Sequence, residues 1–440
     1  MNLQSSIMTD NRKLASSEQA MEILNCRATS FQVVTISRIT GQLSEEILRQ
    51  ALDLIQCRHP RLNSRIVGEL DSLRFESGAI KIPLRVVNNL HKEQWQEIVL
   101  EEMNQKIQSH KGLARAVLVG CESENNVSYL MTTLHHAISD GLSCIRLHSE
   151  ILTYCQKIAS GEPIGEVDRL RLLPPIQQLL PKSIQGFPGV MNGIFTLLRL
   201  KFQQIWHRPE TLGFEKYVPT ESRRASFVHR QLEEELTQQL INLCRNEKTS
   251  VQGALCAALM LAVARKITGN KRTDVHLSCR SYVSLRKRLQ PEVSDENLGL
   301  LASSVTSFHA LKRNTSFWDL ARDVKQQLEA SLEGNDIFSI VLMFRKIVES
   351  FLNHPNQAPA SVAITNIGRA NIPQVYGQFK LEEISFVPAQ AAFGGIVSAA
   401  VSTFQGKMLL NFMFSEPSIS QHTMEEVANN AISCLVDACN

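Results

Sequence analysis

His135-His136-Ala137-Ile138-Ser139-Asp140-Gly141 places two imidazoles, a carboxylate and a glycine within seven consecutive positions. Imidazole is the side chain whose ordinary pKa suits proton transfer near neutral pH. Glycine admits backbone angles and close approaches that a Cβ forbids. Three accounts compete for this cluster. In the first, the histidines are packed turn residues with satisfied nitrogens. In the second, His136 and Asp140 are metal ligands at helical spacing. A hydrolytic metal site usually takes three protein ligands, however, and no matching His/Cys pair stands elsewhere, while His148 lies too far round the next helix. In the third, a neutral histidine removes a proton from an acceptor hydroxyl or amine.

The flanking elements would hold the cluster at a strand-to-helix turn. Residues 127–134, Val-Ser-Tyr-Leu-Met-Thr-Thr-Leu, have the β-branched and aromatic content of a buried strand. After the cluster, Leu142, Ile145, Leu147, Ile151 and Leu152 mark a helix face. A strand over 113–120 precedes, and 121–126 reads as the hairpin loop between the two strands. Upstream are a short helix at 16–25, a strand at 31–39, and a helix at 45–57 that Ser44 would cap and Pro60 would end. A strand at 84–87, a helix at 91–110 and a helical stretch at 170–180 complete the first half.

Composition bounds the rest. At 440 residues the chain exceeds what one core usually serves, so two domains are expected. Hydrophobic residues make up 43% and charged residues 20%, a globular balance. The net charge of +3 is spread without long basic runs; Lys271-Arg272 and Arg286-Lys287-Arg288 are the short ones, which argues against a nucleic-acid partner. Residues 1–10 are polar, without the apolar core of a signal segment. Residues 253–264 form the longest apolar stretch, too short to span a bilayer and read as a buried helix. Ten scattered cysteines without a Cys-x-x-Cys pair fit a reducing, cytoplasmic setting.

The boundaries drawn from the sequence are a first subdomain at 1–183, a crossover linker at 184–219 rich in Gly and Pro, and a second subdomain at 220–440. Within the linker an amphipathic piece at 194–206 carries Phe and Leu residues that could rest on a lipid surface or on the protein's own core. The second half repeats the mixture: a strand at 225–231, helices at 233–245 and 250–267, strands at 274–278 and 301–308, and helices at 314–332 and 337–352. Strands at 362–366, 381–387, 394–404 and 408–414 follow, then a helix at 420–438.

The motif His135-His136-x-x-x-Asp140-Gly141 resembles the HHxxxDG signature of thioester-dependent acyltransferases. That superfamily includes chloramphenicol acetyltransferase, the BAHD plant enzymes, condensation domains of nonribosomal peptide synthetases and polyketide-associated acyltransferases of mycobacteria. Other segments match in order. Leu14-Ala15-Ser16-Ser17-Glu18 resembles the "LSxxE" opening, and Arg58-His59-Pro60-Arg61-Leu62-Asn63-Ser64-Arg65 the "RHPxLR" segment. Leu173-Pro174-Pro175-Ile176 with Leu179-Leu180-Pro181 is similar to the proline-rich end of the first half. Ser284-Leu285-Arg286-Lys287-Arg288-Leu289, with Pro291 and Glu296-Asn297-Leu298-Gly299, resembles "DLRxRLxP…LG", and Thr365-Asn366-Ile367-Gly368 resembles "SNxG". Two departures stand out. Ser284 replaces the usual aspartate, and the BAHD "DFGWG" is absent, with Ala392-Phe393-Gly394-Gly395 only loosely in its place. Carrier-protein and adenylation modules are not seen in this sequence, so a free-standing enzyme is expected.

The resemblance implies an α+β fold of two chloramphenicol-acetyltransferase-like αβ subdomains, forming a pseudo-dimer with a tunnel at their interface. It implies His136 as general base, His135 and Gly141 as support for the turn, and Asp140 paired with Arg286, or else Arg280. Thr365 and Asn366 become candidates for donating to an oxyanion, Asn366 alternatively tying down a strand end. The reaction implied is transfer of a fatty or polyketide-type acyl group from acyl-CoA or an acyl carrier protein to an alcohol, forming an ester rather than an amide. The phosphopantetheine thioester is substrate; no cofactor and no metal are expected. The competing readings are an amide-forming condensation enzyme and a non-catalytic condensation-like module that docks a carrier protein.

Overall fold

The structure, a computed structural model, describes residues 11–28, 31–89, 94–121, 126–269, 274–312 and 314–440. The first half runs α1 (Ser16–Ala28), β1 (Gln32–Thr40), α2 (Glu45–Arg58), β2 (Ser64–Val67), β3 (Arg74–Ser77), β4 (Leu84–Asn89), α3 (Gln94–Asn104), β5 (Ala114–Cys121), β6 (Val127–His135) and α4 (Gly141–Ala159). The one-turn α5 (Ile176–Leu179) and long α6 (Gly186–His207) follow. The second half runs β7 (Arg224–Leu232), α7 (Glu234–Asn246), α8 (Val251–Thr268), β8 (Val275–Ser284), β9 (Ala302–Leu311), α9 (Phe317–Glu333) and α10 (Asp336–Asn353). It ends with β10 (Val362–Arg369), β11 (Val375–Tyr376), β12 (Phe379–Pro388), β13 (Val397–Phe404), β14 (Lys407–Glu416) and α11 (Gln421–Cys439).

Two six-stranded sheets carry the two lobes, in the orders β11-β12-β1-β6-β5-β4 and β7-β14-β13-β10-β8-β9. All nine residues of β6 are buried, as a central strand covered on both faces requires. β1 pairs antiparallel with β6 on one edge and with β12 on the other. The sequential boundary therefore needs correction: β11 and β12, from the segment assigned to the second subdomain, complete the first sheet. Period-2 alternation tells which face of a strand is apolar but not which sheet edge receives it. Phe379, Leu381, Ile384, Phe386 and Val387 of β12 are buried in the first core accordingly.

The supposed linker is corrected too, since most of it is the 22-residue α6. The helix expected over 170–180 shrinks to α5, because Pro174 and Pro175 cannot supply the N–H groups that an earlier start would need. The helix expected at 91–110 begins at Gln94 and ends at Asn104; residues 91–93 lie outside the described ones. Gln32 donates to the carbonyls of Met103 and Gln105 at that end. Residues 1–10, the hairpin loop positions 122–125 and Lys271-Arg272 also lie outside the described residues, although Cys121 pairs with Val127 as a hairpin demands.

Ser250 caps α8 through its hydroxyl, and Gly269 ends it with φ +56°. Among the described residues, α8 is the one helix long and apolar enough to cross a membrane; it packs in the core of the second lobe. Nine cysteines among the described residues are free, seven of them buried.

Candidate active site

β6 ends at His135, residues 136–138 make one 3₁₀ turn, and Asp140 starts α4. The turn is fixed by its own polar groups. Ser139 Oγ donates to the His135 carbonyl at 3.2 Å. Asp140 Oδ1 accepts the Ser143 N–H at 2.9 Å, and Ser143 Oγ accepts the Asp140 N–H at 3.1 Å, a reciprocal cap. His136 Nδ1 lies 2.7 Å from the Ser139 carbonyl oxygen. A carbonyl can only accept, so Nδ1 carries the proton and a neutral ring presents the Nε2 lone pair. Nε2 has no hydrogen-bond partner among the described residues, and the ring lines a cavity. Burial pushes the His136 pKa below its usual value, outweighing the Ser139 carbonyl and the Asp140 charge, which favour protonation. The imidazole is thus neutral at pH 7. Phe31, held at φ +66°, stacks on it at 6.1 Å between centroids.

His135 turns the other way. Its Nδ1 accepts the Ala137 N–H at 3.1 Å, which leaves the proton on Nε2. Nε2 approaches Glu22 Oε2 to 2.8 Å. Burial would raise the Glu22 carboxyl, but His135 and the hydroxyl of Ser109 more than offset it and hold the group below the usual range. Glu22 was missed from the sequence. The acid of the opening motif, Glu18, instead accepts from Arg12 at 2.7 and 2.8 Å and from the Ala15 N–H at 2.6 Å.

Asp140 and Arg286 join the lobes. One Arg286 nitrogen reaches both carboxylate oxygens, at 3.1 and 2.9 Å, and the Asn297 carbonyl at 3.0 Å. Arg280 takes no part in this pair; it donates to the Pro359 carbonyl at 3.2 Å and lines the cavity. Ser284, where the motif has aspartate, accepts the Arg286 N–H at 3.4 Å. A second tie runs nearby: Arg58 bridges Glu150, at 3.0 Å, and Glu296 of the other half, at 2.9 Å. His59 Nε2 also meets Glu150 at 2.9 Å.

The chamber before His136 encloses about 1220 Å³ of space between atoms, including its open mouth. Ser17, Met21, Phe31 and Val33 line it from the first half, and Tyr282, Leu300, Ile340, Thr365, Phe393 and Ile396 from the second. A wider outer space of about 1990 Å³, open to solvent and lined by α6 and second-half residues, shares Arg280, Ser304, Phe344, Phe351 and Pro359 with it. Thr365 faces the chamber. Asn366 does not line it, and its Oδ1 accepts the Gly368 N–H at 2.9 Å, holding a turn at φ +70°. Gly141 is required for close approach rather than for unusual angles. A Cβ there would lie 2.9 Å from Ile367 and 3.0 Å from Phe386.

Two neighbouring groups stand apart. His148 is sealed between Ser37 (2.7 Å) and Thr132 (2.8 Å), and burial lowers its pKa to about 3. Burial pushes the Cys144 thiol up to about 12, so it is no nucleophile. Among the described residues no group of three His, Cys, Asp or Glu side chains could hold a metal. Asp140 is already committed to Arg286 and Ser143.

Paired sheets and a chamber between them lined by a histidine fit a two-lobed protein of the acyltransferase and condensation class. Residues 16–168 match the family described as condensation domain, and residues 221–415 match the phthiocerol/phthiodiolone dimycocerosyl transferase C-terminus. The chain belongs to the superfamily of condensation domains and acyltransferases. It is 23% identical over 389 residues to the nonribosomal peptide synthetase kk1B of Curvularia clavata, covering 85% of this chain and 3% of that protein. It is 23% identical over 334 residues to the probable alcohol acetyltransferase FCK4 of Fusarium pseudograminearum, covering 68% of this chain and 65% of that one. The chain thus spans less than two thirds of the length of either relative. The trichothecene 15-O-acetyltransferase TRI3 of Fusarium sporotrichioides has the same fold, with a TM-score of 0.78 at 11% identity over 100% of this chain and 97% of that one.

Proposed function

We propose that this protein transfers an acyl group from an acyl thioester, carried by CoA or by an acyl carrier protein, to a hydroxyl acceptor, forming an ester. His136 Nε2 removes the hydroxyl proton as the acceptor oxygen attacks the thioester carbonyl. The tetrahedral intermediate then collapses, the carbon–sulfur bond breaks, and the departing thiolate takes the proton back from the imidazolium. Neither a covalent acyl-enzyme nor a further reactant is needed. Thr365 is the side chain we assign to the developing oxyanion; Asn366 is withdrawn from that role because it does not line the chamber. His135, Asp140, Gly141 and Arg286 position the base.

The observation that carries this reading is the state of the His136 ring: Nδ1 committed to the Ser139 carbonyl, Nε2 unpartnered, the charge disfavoured by burial. Binding both reactants against one base makes the encounter effectively unimolecular, and a positioned base contributes about 10²- to 10⁴-fold. The apolar chamber suits an aliphatic acyl chain, and the free cysteines support a cytoplasmic setting. The resemblance to an alcohol acetyltransferase favours oxygen over nitrogen as acceptor.

The test is thiol release from acyl-CoA and from acyl-phosphopantetheinyl carrier protein with a panel of alcohols and amines. His136→Ala should unfold like the parent and lose at least about 10²-fold in kcat. Undiminished turnover by a folded His136→Ala protein would overturn the base assignment. Absence of thiol release with every donor would favour a non-catalytic docking module, and turnover confined to amines an amide-forming enzyme.

A further inference from the structure

Among the described residues thirteen large hydrophobic side chains are exposed, and eight of them sit on α6. Phe187 is 77% exposed, Ile205 71% and Trp206 73%, with Phe195, Leu198 and Phe202 beside them. At about 100° per residue these positions fall on one continuous face of the helix. The opposite face is the one that packs. Gly189 and Gly193 are buried, and a Cβ at Gly193 would lie 2.7 Å from Met343 of α10. The exposed face is therefore a chosen surface of a firmly seated helix. It extends over about 29 Å, from Phe187 to Trp206, at 1.5 Å rise per residue, far more than the scattered apolar residues of an ordinary surface.

Charge identifies what covers it. Residues 169–209 hold six Lys and Arg and no Asp or Glu. Lys201 projects at one edge of the apolar face, where a long side chain carries its charge outward past its stem; Arg199, at the other edge, is paired with Asp336 of α10 yet stays about half exposed. A second copy of the chain applied to this face through a two-fold axis would bring together two segments that are rich in cations and hold no carboxylate of their own. An apolar face rich in Phe, Leu and Trp, edged by cations, matches instead the boundary between acyl chains and anionic headgroups. We propose that α6 lies in the surface of a membrane containing anionic lipids. Leu197, Leu200, Arg199 and Lys201 also border the outer space, so that space would open at the lipid surface.

This inference does not depend on the acyl-transfer reading, because vesicle binding reports it without turnover. The full chain should float with vesicles of phosphatidylcholine and phosphatidylserine, weakly with phosphatidylcholine alone, and less as salt rises. Trp206 emission should shift to the blue on binding, and Trp206→Phe should remove that shift. Phe195→Ser/Phe202→Ser and, separately, Lys201→Glu should each retain the parent's circular dichroism and lower the bound fraction, the double variant by tenfold or more. The proposal is overturned if the parent stays unbound at low salt, or if both variants float as well as the parent. A concentration-dependent doubling of mass, abolished by the double variant and unaccompanied by flotation, would give the face to a second copy and equally overturn it.

Discussion

Replacing Asp140 by alanine tests whether this carboxylate is a tie between the lobes rather than a proton carrier. Asp140 is 5% exposed and Arg286 1%. Removing one partner of a buried pair costs about 3–5 kcal/mol, because a charge is left without compensation. Arg286 would keep the carbonyl oxygens of Ser294 and Asn297, so the lower end, about 3 kcal/mol, applies. Loss of the cap on Ser143 adds about 1 kcal/mol. Asp140→Asn keeps a cap acceptor and should lose only the pairing. Arg286→Leu orphans the carboxylate instead. The double variant, Asp140→Ala/Arg286→Leu, leaves no orphan and should cost less than the two singles summed, by about 0.5–3 kcal/mol. Urea unfolding followed by tryptophan fluorescence and by circular dichroism would give these differences at constant m. A loss of under about 1 kcal/mol for Asp140→Ala, the cap alone, or strict additivity in the double variant, would refute the tie.

Because burial holds His136 below its ordinary pKa of 6.5, the base stays neutral into mild acid. The rising limb of kcat/KM against pH should therefore lie below pH 6.5 and the profile should be flat through neutrality; a limb above that value contradicts the assignment. His148 is neutral in the folded protein, with a pKa near 3 against 6.5 when unfolded. Between those values the unfolded chain binds more protons, so stability falls as pH falls, by up to about 1.4 kcal/mol per unit. His148→Gln should flatten that acid slope by one proton, measured as unfolding free energy against pH, and an unchanged slope would remove His148 as its source. Gly141→Ala forces a methyl onto Ile367 and Phe386 and should cost about 1–3 kcal/mol, which the same unfolding assay would report; a neutral effect would show that the contact yields freely.

The pairing of Asp140 with Arg286 was legible only through the family resemblance, which left Arg280 as the alternative; the structure makes the pair with Arg286. Glu22 was not legible, because one acid among several in a helix carries no mark of the histidine it meets. Phe31 reads as an ordinary strand residue until its positive φ turns the ring onto His136. Asn366 and Thr365 are neighbours in one strand, yet only Thr365 faces the chamber, because adjacent strand residues point to opposite faces.

Local chemistry was settled by the chain itself. Residues 127–134 are a strand by composition, Ser44 and Ser250 cap helices because their oxygens accept nearby N–H groups, and the HHxxxDG turn falls where a buried strand meets an amphipathic helix. Those interactions span a few residues, so spacing reveals them. Folding in three dimensions decided the rest: that β12 completes the first sheet, that Gly141 serves close packing, and that α6 turns its apolar side outward. Each of these depends on which surfaces meet across hundreds of residues. An alternating or helical pattern records that a face is apolar, while the partner that covers it is chosen only when the lobes assemble.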